Sequence, residues 1–365
     1  MNNFFTISVL GVLLLASTAG AAEDSTKTPS WYQNVELHSF LSSGYSYNMN
    51  DPDNQKNQFH VFDFDDNTMK IDVLELVLMK EPVANEAGFH VDLTAGSSIP
   101  QVARSAGFNV GDLDFHQIFV SFIVPIGGGL RIDAGKFVTP MGYEVIEGYD
   151  GFNENYSRSF LFGYAIPFTH TGVKGSYAVS QALSVALVVC NGWDVSIDNN
   201  RSKTVGMQVG LSLCNGLTLG LNGMAGPEKP GHNADYRKII DIAGSYPVGK
   251  NVRVGLNGDY GMEEHSSIGG GTALWRGIAG YGRWTLCNNV ALNLRLELFN
   301  DVDGVRTGGV QKLGGITFTP EYRFSSSMML RGDFRVDQSN DNVFFKAGEL
   351  TKSQTTMSLN LIYSR

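Results

Sequence analysis

Charged side chains between residues 139 and 170 are the first group in this sequence that could act on other molecules. Four carboxylates and one guanidinium fall within a short stretch that also carries eight aromatic side chains. Aromatic side chains favour burial, so we expect the stretch to fold inward and to hold its charges in an enclosed space. Charges in such a space attract or repel small solutes electrostatically. These charged candidates are Glu144, Glu147, Asp150, Glu154 and Arg158.

Bond-making chemistry is not indicated. The sequence contains no Gly-x-Ser-x-Gly, His-Glu-x-x-His, Walker-type or Gly-x-Gly-x-x-Gly motif, which are signatures of common catalytic and nucleotide sites. The seven histidines are scattered, without the short spacing of many metal sites. Asp63, Asp65 and Asp66 could offer oxygens to Ca²⁺, but their spacing is not that of an EF-hand, and we interpret them as solvated loop acids. We therefore predict no catalytic residues, no cofactor and no metal.

A second set of charges alternates with apolar residues, and this alternation identifies the elements that must position both sets. In residues 289–300, leucines share one phase while Asn293, Arg295 and Glu297 share the other. A period of two predicts a strand with one apolar and one polar face. Sixteen such segments are predicted, at residues 34–48, 68–80, 88–97, 113–125, 129–138, 171–180, 182–192, 203–213, 217–226, 238–247, 251–262, 273–286, 289–300, 312–324, 327–337 and 354–364.

Short and long connections alternate between these segments. Every second connection is a tight turn, and the others are longer and more polar, which is typical of membrane barrels with short periplasmic turns and long extracellular loops. We predict an all-β fold: a transmembrane, antiparallel, up-and-down β-barrel of about 16 strands. The last strand would close the barrel against the first. Within residues 69–79 the apolar series shifts phase by one, which predicts a bulge.

The N-terminus has the features of an export signal. An apolar run at residues 9–16 leads to small residues ending at Ala22, as in a cleaved signal peptide. We expect a signal peptide at residues 1–22, a short segment at 23–33, and the barrel with its inward-folded loop 139–170 at 34–365. The expected location is the outer membrane of a Gram-negative bacterium.

Composition sets further limits. The net charge of −9 and the lack of a basic cluster argue against nucleic-acid binding. Three cysteines, Cys190, Cys214 and Cys287, are too few and too far apart in the predicted strand order for a disulfide framework, so free thiols are expected.

The strand number predicts a water-filled bore, because barrels of 16 to 18 strands are wide enough for a channel. The polar phase would line the bore, and the loop 139–170 would form a pore constriction. An acidic loop facing a basic wall would produce an electric field across the pore. We therefore expect the replacement of Glu144 and Glu147 by Gln to change the preference of the pore for cations over anions. The pore-wall candidates are Arg131, Asp133, Arg295, Glu297, Arg323, Arg331, Asp333 and Arg335.

A family resemblance appears in the same region. The sequence Gly135-Lys136-Phe137 followed by Pro140-Met141-Gly142-Tyr143-Glu144, then residues 153–159 (NENYSRS), then residues 167–172 (PFTHTG), resembles the OmpL-like family of outer-membrane β-barrel porins. The resemblance implies an outer-membrane barrel and assigns neither substrate nor binding residues.

We expect a porin for passive diffusion of small hydrophilic solutes or ions, in contact with outer-membrane lipid. One alternative is a structural or partner-holding barrel without open-channel activity, which should have an unobstructed lumen. An outer-membrane enzyme and a soluble β-sandwich or β-solenoid are disfavoured. The sequence leaves open whether the barrel is a monomer or a homo-oligomer such as a trimer.

Overall fold

Sixteen long antiparallel strands close into a barrel. The computed structural model describes residues 32, 34–99 and 113–365; the predicted signal peptide lies outside them. The strands and one small hairpin (β16 and β17) are β1 Glu36–Asn48, β2 Thr68–Lys80, β3 Gly88–Ala95, β4 Leu113–Val124, β5 Leu130–Val138, β6 Thr169–Ala178, β7 Leu183–Cys190, β8 Thr204–Ser212, β9 Thr218–Pro227, β10 Tyr236–Val248, β11 Val252–Glu263, β12 Ala273–Cys287, β13 Val290–Asp301, β14 Gln311–Arg323, β15 Met328–Ser339, β16 Phe344–Lys346, β17 Glu349–Thr351 and β18 Ser353–Ser364.

The predicted closure and strand count are confirmed. Each long strand pairs with its neighbour in sequence, and β18 pairs with β1 through a register that runs from Phe40 opposite Ser364 to Asn48 opposite Thr356. The hairpin β16–β17 was not predicted; it forms within the connection between β15 and β18. None of the helical segments in the described part of the chain has the length and apolar character of a membrane-spanning helix.

Period-two alternation separates two faces of the wall. On β13, Leu294, Leu296 and Leu298 are 42%, 49% and 65% exposed, whereas Arg295 and Glu297 between them are buried. The apolar phase therefore faces outward, as it must in a bilayer, and the charged phase faces the lumen.

The predicted bulge is present in β2. Ser42 pairs with Val73 and Ser43 with Ile71, so Asp72 is an extra residue in the strand. Both Asp72 and Val73 are buried, whereas Ile71 and Leu74 on either side are exposed. The bulge thus moves the apolar series to the other phase and keeps leucines on the outside after the shift.

The two ends of the barrel differ as predicted. Turns at one end include residues 249–251 and 288–289, whereas the connection between β5 and β6 at the other end covers residues 139–168. We call this connection the β5–β6 segment. It contains a single π-helical turn, Leu161–Ala165. The three cysteines are free, with Cys190 buried and the others exposed.

Candidate functional site

The β5–β6 segment lies inside the barrel and is held from several sides. Its Tyr149 N donates to Glu75 Oε2 on β2 at 2.5 Å, and its Gly142 N donates to Asp241 Oδ1 on β10 at 3.1 Å. Its Ser157 N and Oγ both donate to Asp333 Oδ2 on β15 at 2.7 Å. Since these strands occupy different parts of the wall, the segment crosses the lumen.

Glu144 forms the first buried charge pair of this site. Arg295 Nη1 on β13 donates to Glu144 Oε1 at 2.8 Å, and Ser159 N donates to Glu144 Oε2 at 2.8 Å. Arg295 also contacts Glu297 Oε1 at 3.0 Å and Ser157 O at 2.5 Å. All these groups are buried. Glu144 therefore fastens the segment to the wall rather than presenting a free carboxylate to solvent.

Glu147 and Arg158 form a second pair with Arg331 of β15. Arg331 Nη2 lies 2.7 Å from Glu147 Oε1, and Arg158 Nη2 lies 3.1 Å from Glu147 Oε2. Burial disfavours the carboxylate, but the two guanidinium groups outweigh burial and hold the pKa of Glu147 below its ordinary value. Glu147 is therefore ionised and paired at neutral pH.

Asp333, Arg335 and Glu297 bind the backbone of the same segment. Asp333 accepts from Tyr156 N at 3.1 Å as well as from Ser157, Arg335 Nη1 donates to Arg158 O at 2.6 Å, and Glu297 accepts from Phe160 N. The structure therefore brings five of the predicted wall residues, those on β13 and β15, into contact with the segment.

Asp150 and Glu154 occupy more open positions. The Asp150 side chain is 56% exposed, and its Oδ2 accepts from Gln117 Nε2 on β4 at 2.9 Å. Glu154 pairs with Arg253 of β11, near the short-turn end of the barrel. Of the five loop candidates, Asp150 thus has the side chain most accessible to a solute.

The remaining wall candidates lie near the short turns, away from the centre of the segment. Arg131 pairs with Asp133 at 2.8 Å and with Glu81 at 2.6 Å. Arg323 pairs with Glu321 at 2.8 Å. The two arginines are partly exposed, whereas Asp133 and Glu321 are buried. The accessible charges of these pairs are therefore the two guanidinium groups and the carboxylate of Glu81, which is 57% exposed.

Glycines on the inner wall make room for the segment. A Cβ on Gly255 of β11 would lie 2.5 Å from the Tyr143 ring, and one on Gly277 of β12 would lie 2.7 Å from Leu161. Tyr143 also stacks on Tyr281 of β12, with ring centroids 4.0 Å apart. On β12, Gly277 therefore permits close packing in the lumen.

The second half of the segment contributes to an apolar core inside the barrel. Phe160, Leu161 and Phe162 are fully or almost fully buried and pack in one cluster with inward-facing apolar side chains of the wall. Those wall residues include Val188, Met224, Ile239, Trp275, Phe299 and Leu313. At this level the cluster occupies part of the lumen.

Several anchoring residues were absent from the predicted site. Asp241 and Asn257 bind the start of the segment, and Asp72 accepts from the Tyr156 hydroxyl at 3.1 Å. Asp241 could have been found from its phase, because Ile240 and Ile242 on either side are exposed. Asp72 is the extra residue of the bulge, so simple alternation does not assign its face.

A protein-family model described as "Putative beta-barrel porin-2, OmpL-like" matches residues 34–364. The chain belongs to this family. The match covers the whole barrel, whereas the motifs that suggest the family in the sequence lie within residues 135–172. A comparison with curated proteins gave no match.

Solved outer-membrane proteins share the fold of this OmpL-like porin family member. It is similar to the anion-selective porin from Comamonas acidovorans, with a TM-score of 0.61 and 13% identity over 91% of this chain and 99% of that chain. It is similar to the outer-membrane channel DcaP of Acinetobacter baumannii, with a TM-score of 0.61 and 10% identity over 91% and 97% of the two chains. A trimer form of OmpT, an outer-membrane protein of Vibrio cholerae, matches with a TM-score of 0.57 and 13% identity over 91% and 99%. Family and fold together identify an outer-membrane β-barrel of the porin type.

Proposed function

We propose that this protein is a porin through which small hydrophilic solutes or ions cross the outer membrane by passive diffusion, without a catalytic role. The single observation that carries the proposal is the division of the wall into an apolar outer face and a charged inner face around a 16-strand closed sheet. A sheet of this size encloses more space than its own side chains fill. The family match supports the same function.

The β5–β6 segment is the proposed constriction. Glu144, Glu147 and Arg158 hold it in place through buried ion pairs, and Asp150 and Glu154 are the acids closest to solvent. Because the apolar cluster fills part of the lumen, the proposed path passes beside the segment and is narrow. We therefore expect small single-channel steps.

The short-turn mouth is the proposed source of charge preference. Arg253 and Arg323 present guanidinium groups that are 49% and 36% exposed there, whereas their partners Glu154 and Glu321 are only 12% and 2% exposed. A mouth with accessible cations raises the local concentration of anions. We propose a modest preference for anions, with this mouth on the periplasmic side, as is usual for short turns.

Planar-bilayer recording tests the function. The purified, folded protein should give discrete conductance steps, and a salt gradient should give a reversal potential of the sign expected for anions. The double variant Arg253→Gln and Arg323→Gln should reduce that preference. The control is Lys346→Gln, which removes an exposed cation of the β16–β17 hairpin, outside the short-turn mouth.

A second candidate function is a structural or partner-holding barrel without open-channel activity. The close packing around Phe160 and Trp275 favours a structural barrel, because it leaves little room for solvent at that level. It disfavours a barrel that holds a partner in its lumen, for which an unobstructed lumen is expected. Folded protein that inserts into bilayers and gives no steps would contradict the porin proposal and support this candidate.

We also propose that the barrel can form a homo-oligomer. The exposed apolar side chains of the wall suit either lipid or the wall of a second barrel, and OmpT of Vibrio cholerae is described in a trimer form. Mass measurement of the detergent-solubilised protein, corrected for bound detergent, would give a multiple of 39.7 kDa for the full sequence, less any cleaved signal peptide. A monomer mass at all concentrations would contradict this proposal.

A further inference from the structure

Two carboxylates and an imidazole converge on the lumen side of three neighbouring strands. Glu75 of β2, Asp92 of β3 and His116 of β4 place one potential ligand atom each within 4.8 Å of one another, and all three residues are buried. The sequence gives no sign of this cluster, because the three residues are far apart in the chain and meet only through strand pairing.

His116 has no hydrogen bond that explains its burial. Its Nδ1 lies 3.6 Å from Glu75 Oε1 and 4.0 Å from Asp92 Oδ2, beyond hydrogen-bond distance. Within the part of the chain that the structure describes, its buried Nε2 has no partner either. The Nδ1 side of this buried imidazole thus faces two carboxylates without a hydrogen bond to either, which is costly unless a further group lies between them.

The spacing suits a metal ion. Two ligands of a tetrahedral ion with bonds of about 2.1 Å are roughly 3.4 Å apart. The 3.6 Å between His116 Nδ1 and Glu75 Oε1 is close to this value, and the other pairs, which lie within 4.8 Å, would have to close further. Imidazole nitrogen with two carboxylate oxygens is a donor set for a divalent first-row transition metal rather than for Mg²⁺ or Ca²⁺, which prefer oxygen ligands alone.

Hydrogen bonds already orient both carboxylates. Glu75 Oε2 accepts from Tyr149 N at 2.5 Å. Asp92 Oδ1 lies 2.7 Å from His90 Nε2, and Asp92 Oδ2 accepts from Gln117 Nε2 at 2.9 Å. Partners of this kind fix carboxylate ligands in metal sites.

A cavity gives access to the cluster. It has a volume of about 150 Å³ and is lined by Glu75, Asp92, His116 and Gln117 from the wall and by Asp150 from the β5–β6 segment, among others. A water molecule or an anionic ligand entering from this cavity could occupy the fourth position of the ion.

We propose that Glu75, Asp92 and His116 form a binding site for a divalent transition-metal ion on the inner wall. Tyr149, the neighbour of Asp150, binds Glu75 directly, so an ion here would also fasten the β5–β6 segment to the wall. The metal-site proposal does not depend on whether the barrel conducts, because metal binding and conductance are measured in separate experiments.

The test uses the purified full-length mature protein in detergent, stripped with a chelator and titrated with Zn²⁺ alone. We expect about one Zn²⁺ per chain and a rise in the unfolding temperature on binding. His116→Ala should weaken binding at least about tenfold, the lower limit for residues that support a metal site, and should abolish the rise. The matched control His265→Ala, which removes an exposed histidine of the β11–β12 loop, should change neither result.

Glu75→Gln provides a second variant if His116→Ala does not fold, because the amide oxygen can still accept from Tyr149 N. It should also lose Zn²⁺ binding. Equal Zn²⁺ binding by the wild type and both folded variants would overturn the proposal, as would no stoichiometric binding by the wild type. Mg²⁺ binding in place of Zn²⁺ would show that His116 is not a ligand and would equally overturn it.

Discussion

Arg331 and Glu147 show how individual residues hold the β5–β6 segment in the lumen. Both are buried, and Arg158 is the only other cation within 4 Å of the Glu147 carboxylate among the described residues. Removing one partner of a buried ion pair leaves an uncompensated charge, which is far more costly than replacing both partners. This difference can be measured.

We expect Arg331→Met to lower the free energy of unfolding by about 3 to 5 kcal/mol, the range for breaking a buried pair. The segment should also become more mobile, so single-channel conductance should rise. The double variant with Glu147→Gln should recover part of the stability. Urea unfolding of the protein in lipid vesicles gives these values, and additive losses in the double variant would contradict direct pairing.

His60, in the first long loop, is a second residue whose effect on stability can be measured. Its imidazole lies between Asp63 at 2.7 Å and Asp337 at 2.8 Å and is fully buried, so Asp63 is not the solvated loop acid that the sequence suggested. Burial opposes protonation and so does nearby Arg335, but the two carboxylates outweigh them and raise the pKa of His60.

Protonation of His60 therefore stabilises the loop. Because the pKa in the folded state is above the ordinary value of about 6.5, this contribution is complete below that pH and is lost as the pH rises through the raised pKa. Limited proteolysis of loop 49–67 should accelerate with rising pH in the wild type. His60→Gln should remove the pH dependence, and exposed His265→Gln should keep it. An unchanged profile in His60→Gln would contradict this role.

Strand β13 shows what a single secondary-structure element determines. A shift of one residue in this strand would move each side chain from the lipid-facing side of the wall to the lumen-facing side, or the reverse. Leu296 is at the middle of the strand and faces outward beside inward-facing Arg295 and Glu297. The sequence predicted this phase correctly, since each strand has a fixed period of two. It also predicted the β2 bulge, because the apolar series itself changes phase there.

Leu296→Arg should lower the free energy of unfolding of the protein folded in lipid vesicles by roughly 2 to 4 kcal/mol, the range for a cation at the bilayer midplane. Val252→Arg is the positional control. Val252 also faces outward but is the first residue of β11, near the end of the barrel, where the cost falls to about 0 to 1 kcal/mol. Equal costs at both positions would show that β13 does not cross the bilayer centre at Leu296.

The orientation of the whole molecule can be tested with its own cysteines. Cys214 and Cys287 are exposed at two short turns, and Cys190 is buried. If the short turns are periplasmic, a membrane-impermeant maleimide too large for the channel should label neither exposed cysteine in intact cells. Both should react after the outer membrane is permeabilised, and Cys190 should react only after unfolding.

Ile268→Cys is the matched control, since Ile268 is 95% exposed on a connection at the opposite end. It should react in intact cells. Labelling of Cys214 and Cys287 in intact cells, with position 268 protected, would reverse the proposed orientation.

The fold was predictable from the sequence because strand period, turn composition and the alternation of connection lengths are local properties. They determined sixteen strands, closure and the bulge, and residues 135–172 indicated the family. The acids and aromatics at 139–170 marked the segment that occupies the lumen.

Only the tertiary structure decided which charges meet. Glu147 and Arg331 are 184 residues apart in the chain, and Glu75, Asp92 and His116 come from three strands, so no local pattern could pair them. A strand's period assigns each side chain to a face but not to a partner, because partners depend on register around the closed sheet and on the path of the segment within it. For this reason the sequence determined the wall, and the structure decided that Glu144 and Glu147 are buried anchors.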